Sequence, residues 1–145
     1  MQKNNSTKMR RDGFSSIFDD LPGDVCPLER SFEMGNRCAK VGFDWNSPDG
    51  AKNKIMEELE ELEKAASDRD EDEIFWEVGD VLLAAANLAR LHGKNPSRAL
   101  AAALERFSRR FGAVEMRLKN EGRKLTEATL EELEEHWQEV KKREH

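Results

Sequence analysis

Apolar residues recur at every third or fourth position through most of the chain from residue 49 onward, which is the period of an amphipathic α-helix. Residues 1–25 show no sustained period and are predicted to form a flexible tail, which leaves 26–145 as the folded domain. The pattern predicts five helices, over about residues 27–41, 49–66, 72–91, 96–120 and 129–142.

Residues that favour helix ends mark these segments. Pro27 and Pro96 suit the first turn of a helix, and Asn95 is a candidate N-cap. Thr129 and Glu132 form a capping-box pattern that opens the last helix. Glycine follows three of the predicted helices, at positions 42, 93 and 122. These helix ends are therefore signalled by local sequence.

The composition supports the same fold class. Leu, Ala, Glu, Lys and Arg dominate from residue 49 onward, whereas Gly and Pro are sparse and Tyr is absent. These residues favour helix over strand, and 145 residues suffice to bury a core without disulfides. We therefore predict an all-α protein, a bundle of four to five helices.

The net charge and the cysteine content exclude several classes of partner and of fold. The net charge of -6 argues against a nucleic-acid polymer as partner, because phosphate-backbone binding depends on clustered Lys and Arg. Cys26 and Cys38 are too few to define a disulfide framework. No apolar run suggests a signal peptide or a membrane span, so we expect a cytoplasmic protein that does not enter a membrane.

Acidic residues lie inside the apolar pattern of the second predicted helix. Its apolar face consists of Ile55, Leu59, Leu62 and Ala66. A projection at about 100° per residue places Glu58 and Glu61 on the flank of this face and Glu57 nearly opposite. Lys54 lies one turn before Glu58, where it can pair with that carboxylate or reach a bound phosphate. Glu58 and Glu61 are therefore the better candidate metal ligands.

The third predicted helix carries a second acidic pair. Residues 81–89 are apolar on nearly every side, which predicts a buried central helix. Glu77, Asp80, Ala84 and Asn87 lie along one line of this helix. If that line faces Glu58 and Glu61, four carboxylates surround one site. Ligation by oxygen alone suits Mg²⁺ or Mn²⁺ better than Zn²⁺.

Glu-rich helices are more often solvated faces with opposite charges one turn away. Glu57, Glu60, Glu63 and the run at 131–135 fit that interpretation. Glu77 and Asp80 fit a metal site better, because mostly apolar residues follow them.

The fourth predicted helix carries a heptad-like apolar stripe that suits a core or a dimer contact. Beside it, Arg106 and Arg110 lie one turn apart, and planar guanidinium groups bind phosphate oxygens well. On pattern alone they are equally consistent with ordinary surface residues.

The order of the motifs resembles that of the MazG-like nucleoside triphosphate pyrophosphohydrolases, of the all-α NTP pyrophosphatase superfamily. The likeness covers about residues 25–143. The motifs are GFDW at 42–45, KIMEELEE at 54–61, EVGDVLLA at 77–84, NLAR at 87–90, RFSRRF at 106–111 and EHWQEVK at 135–141.

This resemblance implies hydrolysis of an NTP or dNTP to the monophosphate and pyrophosphate, in house-cleaning or nucleotide-pool control. It implies that Mg²⁺, or Mn²⁺ in its place, is held by Glu58, Glu61, Glu77 and Asp80, with Glu57 as a further motif member. The residues at family positions associated with substrate or catalysis are Lys54, Asn87, Arg106 and Arg110. Trp45 and Trp137 are candidates for the walls of the nucleotide pocket. Glu58 and Glu61 remain alternatives for the general base.

Two residues depart from the family pattern. Trp76 stands where the second motif usually has its first Glu, and Arg106 replaces a frequent Lys.

Some relatives carry two such domains, whereas this chain has one. The alternatives are a related enzyme specific for dUTP, dCTP or phosphoribosyl-ATP, and a non-catalytic helical module that binds a partner protein. We expect a homodimer or a higher homo-oligomer.

Overall fold

The computed structural model describes residues 15–144 of the chain. Its elements are α1, Pro27–Lys40; α2, Pro48–Asp68; α3, Glu71–Leu91; α4, Pro96–Asn120; a 3₁₀ helix, Leu125–Glu127; and α5, Leu130–Lys142. No strand occurs within these residues. The predicted all-α fold is confirmed. The largest difference in a helix end is at α2, which extends to Asp68 instead of stopping near Ala66.

The predicted helix starts are present as side-chain caps. The backbone N–H of Arg98 donates to Asn95 Oδ1 at 3.0 Å, and Thr129 and Glu132 form the capping box before α5. The break between α2 and α3 is shorter than predicted, because Arg69 takes a left-handed conformation (φ 56°) and Asp70 caps α3 directly. This tight connection keeps the two acidic helices adjacent.

The chain divides after Arg98 into two compact units. In the first unit, α3 packs against both α2 and α1. The buried residues at the helix contacts are small, with Ala51 and Ala65 on α2 and Ala84 and Ala86 on α3. Small side chains let helix axes approach closely, which brings polar groups on the facing surfaces within reach of one another.

Two expectations about burial are wrong in detail. Leu59 is 39% exposed and Ala66 is also exposed, whereas Glu58 is only 4% exposed. The inward line of α2 steps by seven residues through Ala51, Glu58 and Ala65, because the small alanines form the contact with α3. Glu58 therefore lies at the centre of the buried line and not on its flank.

Helix α3 is central in its unit but is not buried on every side. Phe75, Trp76, Leu82 and Leu83 are 72%, 64%, 58% and 53% exposed. Within the described residues, α1 and α2 cover only part of the α3 surface. An apolar helix face of this size is typical of a surface that binds another protein.

The residues before α1 are described from residue 15. Arg37 of α1 forms an ion pair with Asp20 and also donates to the carbonyl oxygen of Ile17. Residues 1–14 lie outside the described part of the chain, so the predicted tail over 1–25 stays a prediction. Among the described helices, none combines the length and the apolar character needed to span a bilayer.

In the second unit, Val114 and Leu118 are each 1% exposed and form its buried apolar side chains. Phe107 stacks on Phe111 with ring centroids 6.1 Å apart and contacts Trp137 at 5.1 Å. This aromatic cluster links α4 to α5 within the unit.

Candidate active site

Three carboxylates from two helices converge in the first unit. One oxygen each of Glu58, Glu77 and Asp80 lies within 4.8 Å of the others. Glu77 and Asp80 are three residues apart and so share one face of α3, while Glu58 comes from the buried line of α2. The predicted convergence of the two acidic helices is thus present for these three side chains.

One cation stands beside this group. Lys54, one turn before Glu58, forms ion pairs with Glu58 and, at 2.9 Å, with Glu57. The Lys54 ammonium lowers the pKa of Glu58, which keeps this buried carboxyl ionised. Glu57 is exposed and lies outside the group of three.

Glu77 is the least satisfied member of the group. Its Oε2 is buried and has no hydrogen-bond partner among the described residues. Burial, followed by the charges of Glu61 and Glu58, raises its pKa. Glu61 is exposed and is not one of the three converging ligands, but it is close enough for its charge to act on Glu77.

The donor set fits a divalent metal ion. Three carboxylates, those of Glu58, Glu77 and Asp80, converge beside one ammonium, that of Lys54, so negative charge is in excess. A buried carboxylate oxygen without a partner, such as Glu77 Oε2, is rare in proteins, and a cation between the helices would satisfy it. Because all donors are oxygens, the set suits a hard ion such as Mg²⁺ or Mn²⁺. These residues therefore form an acidic group able to hold a divalent metal.

A cavity of about 690 Å³ adjoins this carboxylate cluster. Lys54, Glu58 and Asp80 line its polar part, and the remaining walls are largely apolar. The apolar and aromatic wall residues are Phe18, Met34, Cys38, Phe43, Trp45, Leu83 and Ala84. This size and lining are typical of a site for a small organic ligand. The predicted substrate residues Trp45, Lys54 and Asn87 all lie on its wall.

A second polar group lies on the same wall. Arg90 of α3 forms a two-point contact with Asp44, with Nη1 and Oδ2 3.0 Å apart, and its Nε donates to Asn87 Oδ1 at 2.7 Å. The guanidinium of Arg90 lowers the pKa of Asp44. In this group the positive and negative charges cancel.

Two glycines make room for the cavity walls. A Cβ on Gly35 of α1 would lie 2.6 Å from Arg90 Nε, and a Cβ on Gly50 of α2 would lie 2.0 Å from Trp45 Cδ1. Real Cβ atoms do not approach other atoms that closely, so any larger residue would displace Arg90 or Trp45.

The remaining predicted residues belong to the second unit. Arg110 Nε donates to Glu144 Oε2 at 2.7 Å, and its guanidinium lies 6.0 Å from the centre of the Trp137 ring. Arg106 is exposed on the same helix. The predicted roles of these three residues toward substrate stay predictions.

Sequence reasoning overlooked Asp44, Arg90 and Gly35 as site residues. The sequence does contain evidence for Arg90. The polar line of α3 ends at Asn87, and the residue three positions further along the same helix face is Arg90. Asp44 lies in a loop between two aromatic residues, and no periodicity relates that loop to α3. Gly35 carries no signal, since its role depends on the path of another helix.

Comparison with known proteins identifies similar chains. Residues 46–107 match the family described as phosphoribosyl-ATP pyrophosphohydrolase. The chain is 39% identical over 131 residues to the nucleoside triphosphate pyrophosphohydrolase of Escherichia coli (strain K12), covering 89% of this chain and 50% of that protein. It is 37% identical over 123 residues to the nucleoside triphosphate pyrophosphohydrolase/pyrophosphatase MazG of Thermotoga maritima, covering 82% and 47%. The chain thus spans about half the length of these curated relatives.

The all-helical fold and the acidic group on two packed helices are consistent with the all-α NTP pyrophosphatase class. Within that class, the chain is similar to the MazG-like nucleoside triphosphate pyrophosphohydrolases over most of its length.

Proposed function

We propose that this chain hydrolyses nucleoside or deoxynucleoside triphosphates to the monophosphate and pyrophosphate, with Mg²⁺ as cofactor and Mn²⁺ as a substitute. The observation that carries the proposal is the carboxylate cluster beside a cavity of nucleotide size. The names of the relatives support the same reaction, and the match to the phosphoribosyl-ATP family supports cleavage between the same two phosphates of a related substrate.

Glu58, Glu61, Glu77 and Asp80 are the proposed metal ligands, with Glu57 as a further member of the motif. These residues would hold a divalent ion, which would supply positive charge to offset the triphosphate and to lower the pKa of a water molecule. Glu77 supports this assignment, because its buried oxygen has no hydrogen-bond partner in the part of the chain that the structure describes.

The proposed mechanism is in-line attack of water on the α-phosphorus. We assign the general base to Glu61. Glu58 is a poorer base because Lys54 lowers its pKa, whereas Glu61 is exposed and beside the cluster. Lys54 is proposed to neutralise phosphate charge when substrate competes for its ammonium.

Trp45 and Asn87 are the proposed contacts to the nucleoside, since both lie on the cavity wall. Arg106, Arg110 and Trp137 are proposed substrate residues on the family resemblance alone. Arg106→Ala and Arg110→Ala test this part, because loss of a phosphate contact would raise KM for every nucleotide alike.

We also propose a homodimer in which the exposed apolar face of α3 packs against a second copy. Phe75, Trp76 and Leu82 support this, because side chains of this size are rarely left in water together. A Leu82→Glu variant should lower the molar mass measured by light scattering. A cytoplasmic location and a role in controlling the nucleotide pool belong to the same proposal.

The deciding experiment is a panel of equimolar nucleotides with Mg²⁺ or Mn²⁺ and with the products resolved. Monophosphate plus pyrophosphate is expected, and diphosphate plus phosphate would contradict the proposed reaction. Phosphoribosyl-ATP, dUTP and dCTP belong in the panel. A kcat/KM for phosphoribosyl-ATP well above those of all NTPs would favour the alternative that the family match at residues 46–107 suggests.

A non-catalytic module that binds a partner protein is the remaining alternative. It would show no turnover with any nucleotide, and Mn²⁺ would leave its melting temperature unchanged.

Glu61→Gln tests the proposed base within an active enzyme, and full activity in that variant would remove Glu61 from the mechanism. Glu60→Gln is the matched control, since Glu60 is an exposed residue of the same helix outside the cluster.

A further inference from the structure

The second polar group on the cavity wall, formed by Asp44, Asn87 and Arg90, joins a loop to a helix. Asp44 lies in the loop between α1 and α2, and Arg90 lies at the end of α3. Both carboxylate oxygens of Asp44 contact the two terminal nitrogens of Arg90. The Arg90 side chain is only 8% exposed, and that of Asp44 is 24% exposed. Two parallel contacts of this type fix the guanidinium plane as well as its position.

This plane determines which way the Asn87 amide faces. Arg90 Nε donates to Asn87 Oδ1 at 2.7 Å. A guanidinium nitrogen only donates, so the amide must present its carbonyl oxygen to Arg90. The Nδ2 group of Asn87 is thereby turned away from Arg90, and no described residue accepts a hydrogen bond from it.

The backbone of α1 restricts movement of this group. Gly35 has no side chain at the point where a Cβ would lie 2.9 Å from Arg90 Cδ and 3.2 Å from Asn87 Oδ1. The guanidinium therefore runs close along the helix, held by the Gly35 backbone on one side and by Asp44 on another. This packing leaves Arg90 little room for a different rotamer.

Asn87 lies away from the phosphate end of the cavity. It is seven residues beyond Asp80 on the same helix, a rise of about 10 Å. Both residues line the cavity. If the triphosphate binds at the carboxylate cluster, the Asn87 amide faces the sugar or the base of the nucleotide.

We infer that Arg90, held by Asp44, is a positioning residue that orients the Asn87 amide so that Nδ2 donates to an acceptor atom on the nucleoside part of the substrate. The acceptor is a sugar hydroxyl or a base carbonyl. The inference rests on the proposed function, since it takes the substrate to be a nucleotide.

The test variant is Arg90→Lys, which keeps the charge but has one nitrogen and cannot contact Asp44 and Asn87 together. Loss of one oriented hydrogen bond should raise KM for a good nucleotide substrate about tenfold, with kcat changed by less than about threefold. The affinity for Mn²⁺ without nucleotide should not change. Equal losses in kcat and in Mn²⁺ affinity would mean that Arg90 only supports the fold, and an unchanged KM would also overturn the inference.

The control variant is Arg37→Lys. Arg37 also pairs with an aspartate, Asp20, in the same unit, and neither residue lines the cavity. Its KM should equal that of the wild type. A rise equal to that of Arg90→Lys would attribute the effect to general loosening of the unit and contradict the inference.

A double-mutant cycle shows whether Arg90 acts through Asn87. Asn87→Ala should raise KM by about the same tenfold factor. Adding Arg90→Lys to Asn87→Ala should then cost little more, because the oriented amide is already gone. Factors that multiply would show that the two residues act separately and would overturn the inference.

Repeating the kinetics with different nucleotides distinguishes the two possible acceptors. If a sugar hydroxyl accepts from Nδ2, the effect of Arg90→Lys should vanish with a dideoxynucleotide; if a base carbonyl accepts, it should persist there and differ between bases. An effect identical for all of these substrates would contradict nucleoside recognition. A wild type that turns over no nucleotide would overturn the proposed function first and this inference with it, which is distinct from an active enzyme whose KM ignores Arg90→Lys.

Discussion

The two polar groups on the cavity wall differ in how their charges are balanced. Glu58, Glu77 and Asp80 bring three carboxylates together beside the ammonium of Lys54, and one buried oxygen of Glu77 has no partner within residues 15–144. Asp44 and Arg90 form a matched pair instead. The first group carries negative charge in excess, whereas the charges of the second group balance each other. The first group is therefore suited to bind a metal ion, and the second is suited to fix the positions of the side chains around it.

The largest expected effect comes from changing the acidic group. Asp80→Asn keeps the size of the side chain but removes one ligand charge. Loss of residues around a metal ligand typically costs 10- to 100-fold in activity, so loss of the ligand itself should lower kcat/KM by about 100-fold or more. The same variant should melt at a higher temperature than the wild type in EDTA, because repulsion with Glu77 and Glu58 is relieved.

Asp80→Asn is expected to lower the activity but to raise the melting temperature in EDTA, and this combination distinguishes loss of a metal ligand from damage to the fold. Kinetics of pyrophosphate release and thermal melting in EDTA measure them on one preparation. A variant that loses activity and also melts earlier would indicate ordinary structural damage, and the difference between the two groups would then disappear. Glu60→Gln should change neither quantity, because Glu60 is exposed outside the cluster.

Metal binding should stabilise the protein through the acidic group alone. At a free Mn²⁺ concentration 100 times its Kd, the free energy of unfolding should rise by about 2.7 kcal/mol. Asp44→Asn should keep this gain, whereas Asp80→Asn should lose most of it. Urea unfolding with and without Mn²⁺ measures the gain, and a loss in Asp44→Asn as large as that in Asp80→Asn would show that the two groups are not independent.

A smaller effect is expected where the matched pair meets α1. Gly35→Ala places a Cβ against Arg90 and should destabilise the protein by about 1–2 kcal/mol, since overpacking exceeds the gain in helix propensity. Gly112→Ala is the matched control, because, apart from its chain neighbours and the backbone of its own helix, no atom of the described residues lies within 4 Å of its Cβ position in α4. It should stabilise the protein by up to about 1 kcal/mol. Equal effects of the two substitutions would show that the space at Gly35 is not needed.

The same two groups show what the sequence can predict. Helix ends were predictable because caps such as Asn95 and Thr129 act over three or four residues. Glu58, Glu77 and Asp80 were predictable because carboxylates in apolar helical patterns stand out against their neighbours. The pair of Asp44 and Arg90 joins residues 46 positions apart through a loop, and no local rule relates them.

Burial was harder to predict than helix position. The exposed Phe75 and Trp76 on α3 have the apolar character of core residues, and the sequence does not say whether the chain itself or another copy covers them. The sequence predicts Glu58 on the flank of α2, because the large apolar residues Leu59 and Leu62 suit the core face. The true inward line passes through two alanines, which carry a weak hydrophobic signal.

The smallest expected effect is the pH dependence of the metal-free protein. Burial and the charges of Glu61 and Glu58 raise the pKa of Glu77 above its ordinary value of 4.5. The folded protein then binds this proton more tightly than the unfolded chain does, so stability falls as pH rises from about 4.5 through the raised pKa. Glu77→Gln should remove this fall, and urea unfolding in EDTA between pH 4.5 and pH 7 measures it.

The matched pair should respond to pH with the opposite sign and in a lower range. Arg90 lowers the pKa of Asp44 below its ordinary 3.8, so the stability it contributes is present above that value and is lost as pH falls through the lowered pKa. Asp44→Asn should therefore differ from the wild type at neutral pH and converge with it in acid, whereas Glu77→Gln should diverge from the wild type as pH rises. If the stabilities of Glu77→Gln and the wild type ran parallel over the whole range, Glu77 would carry no excess charge, and the acidic group would need no cation.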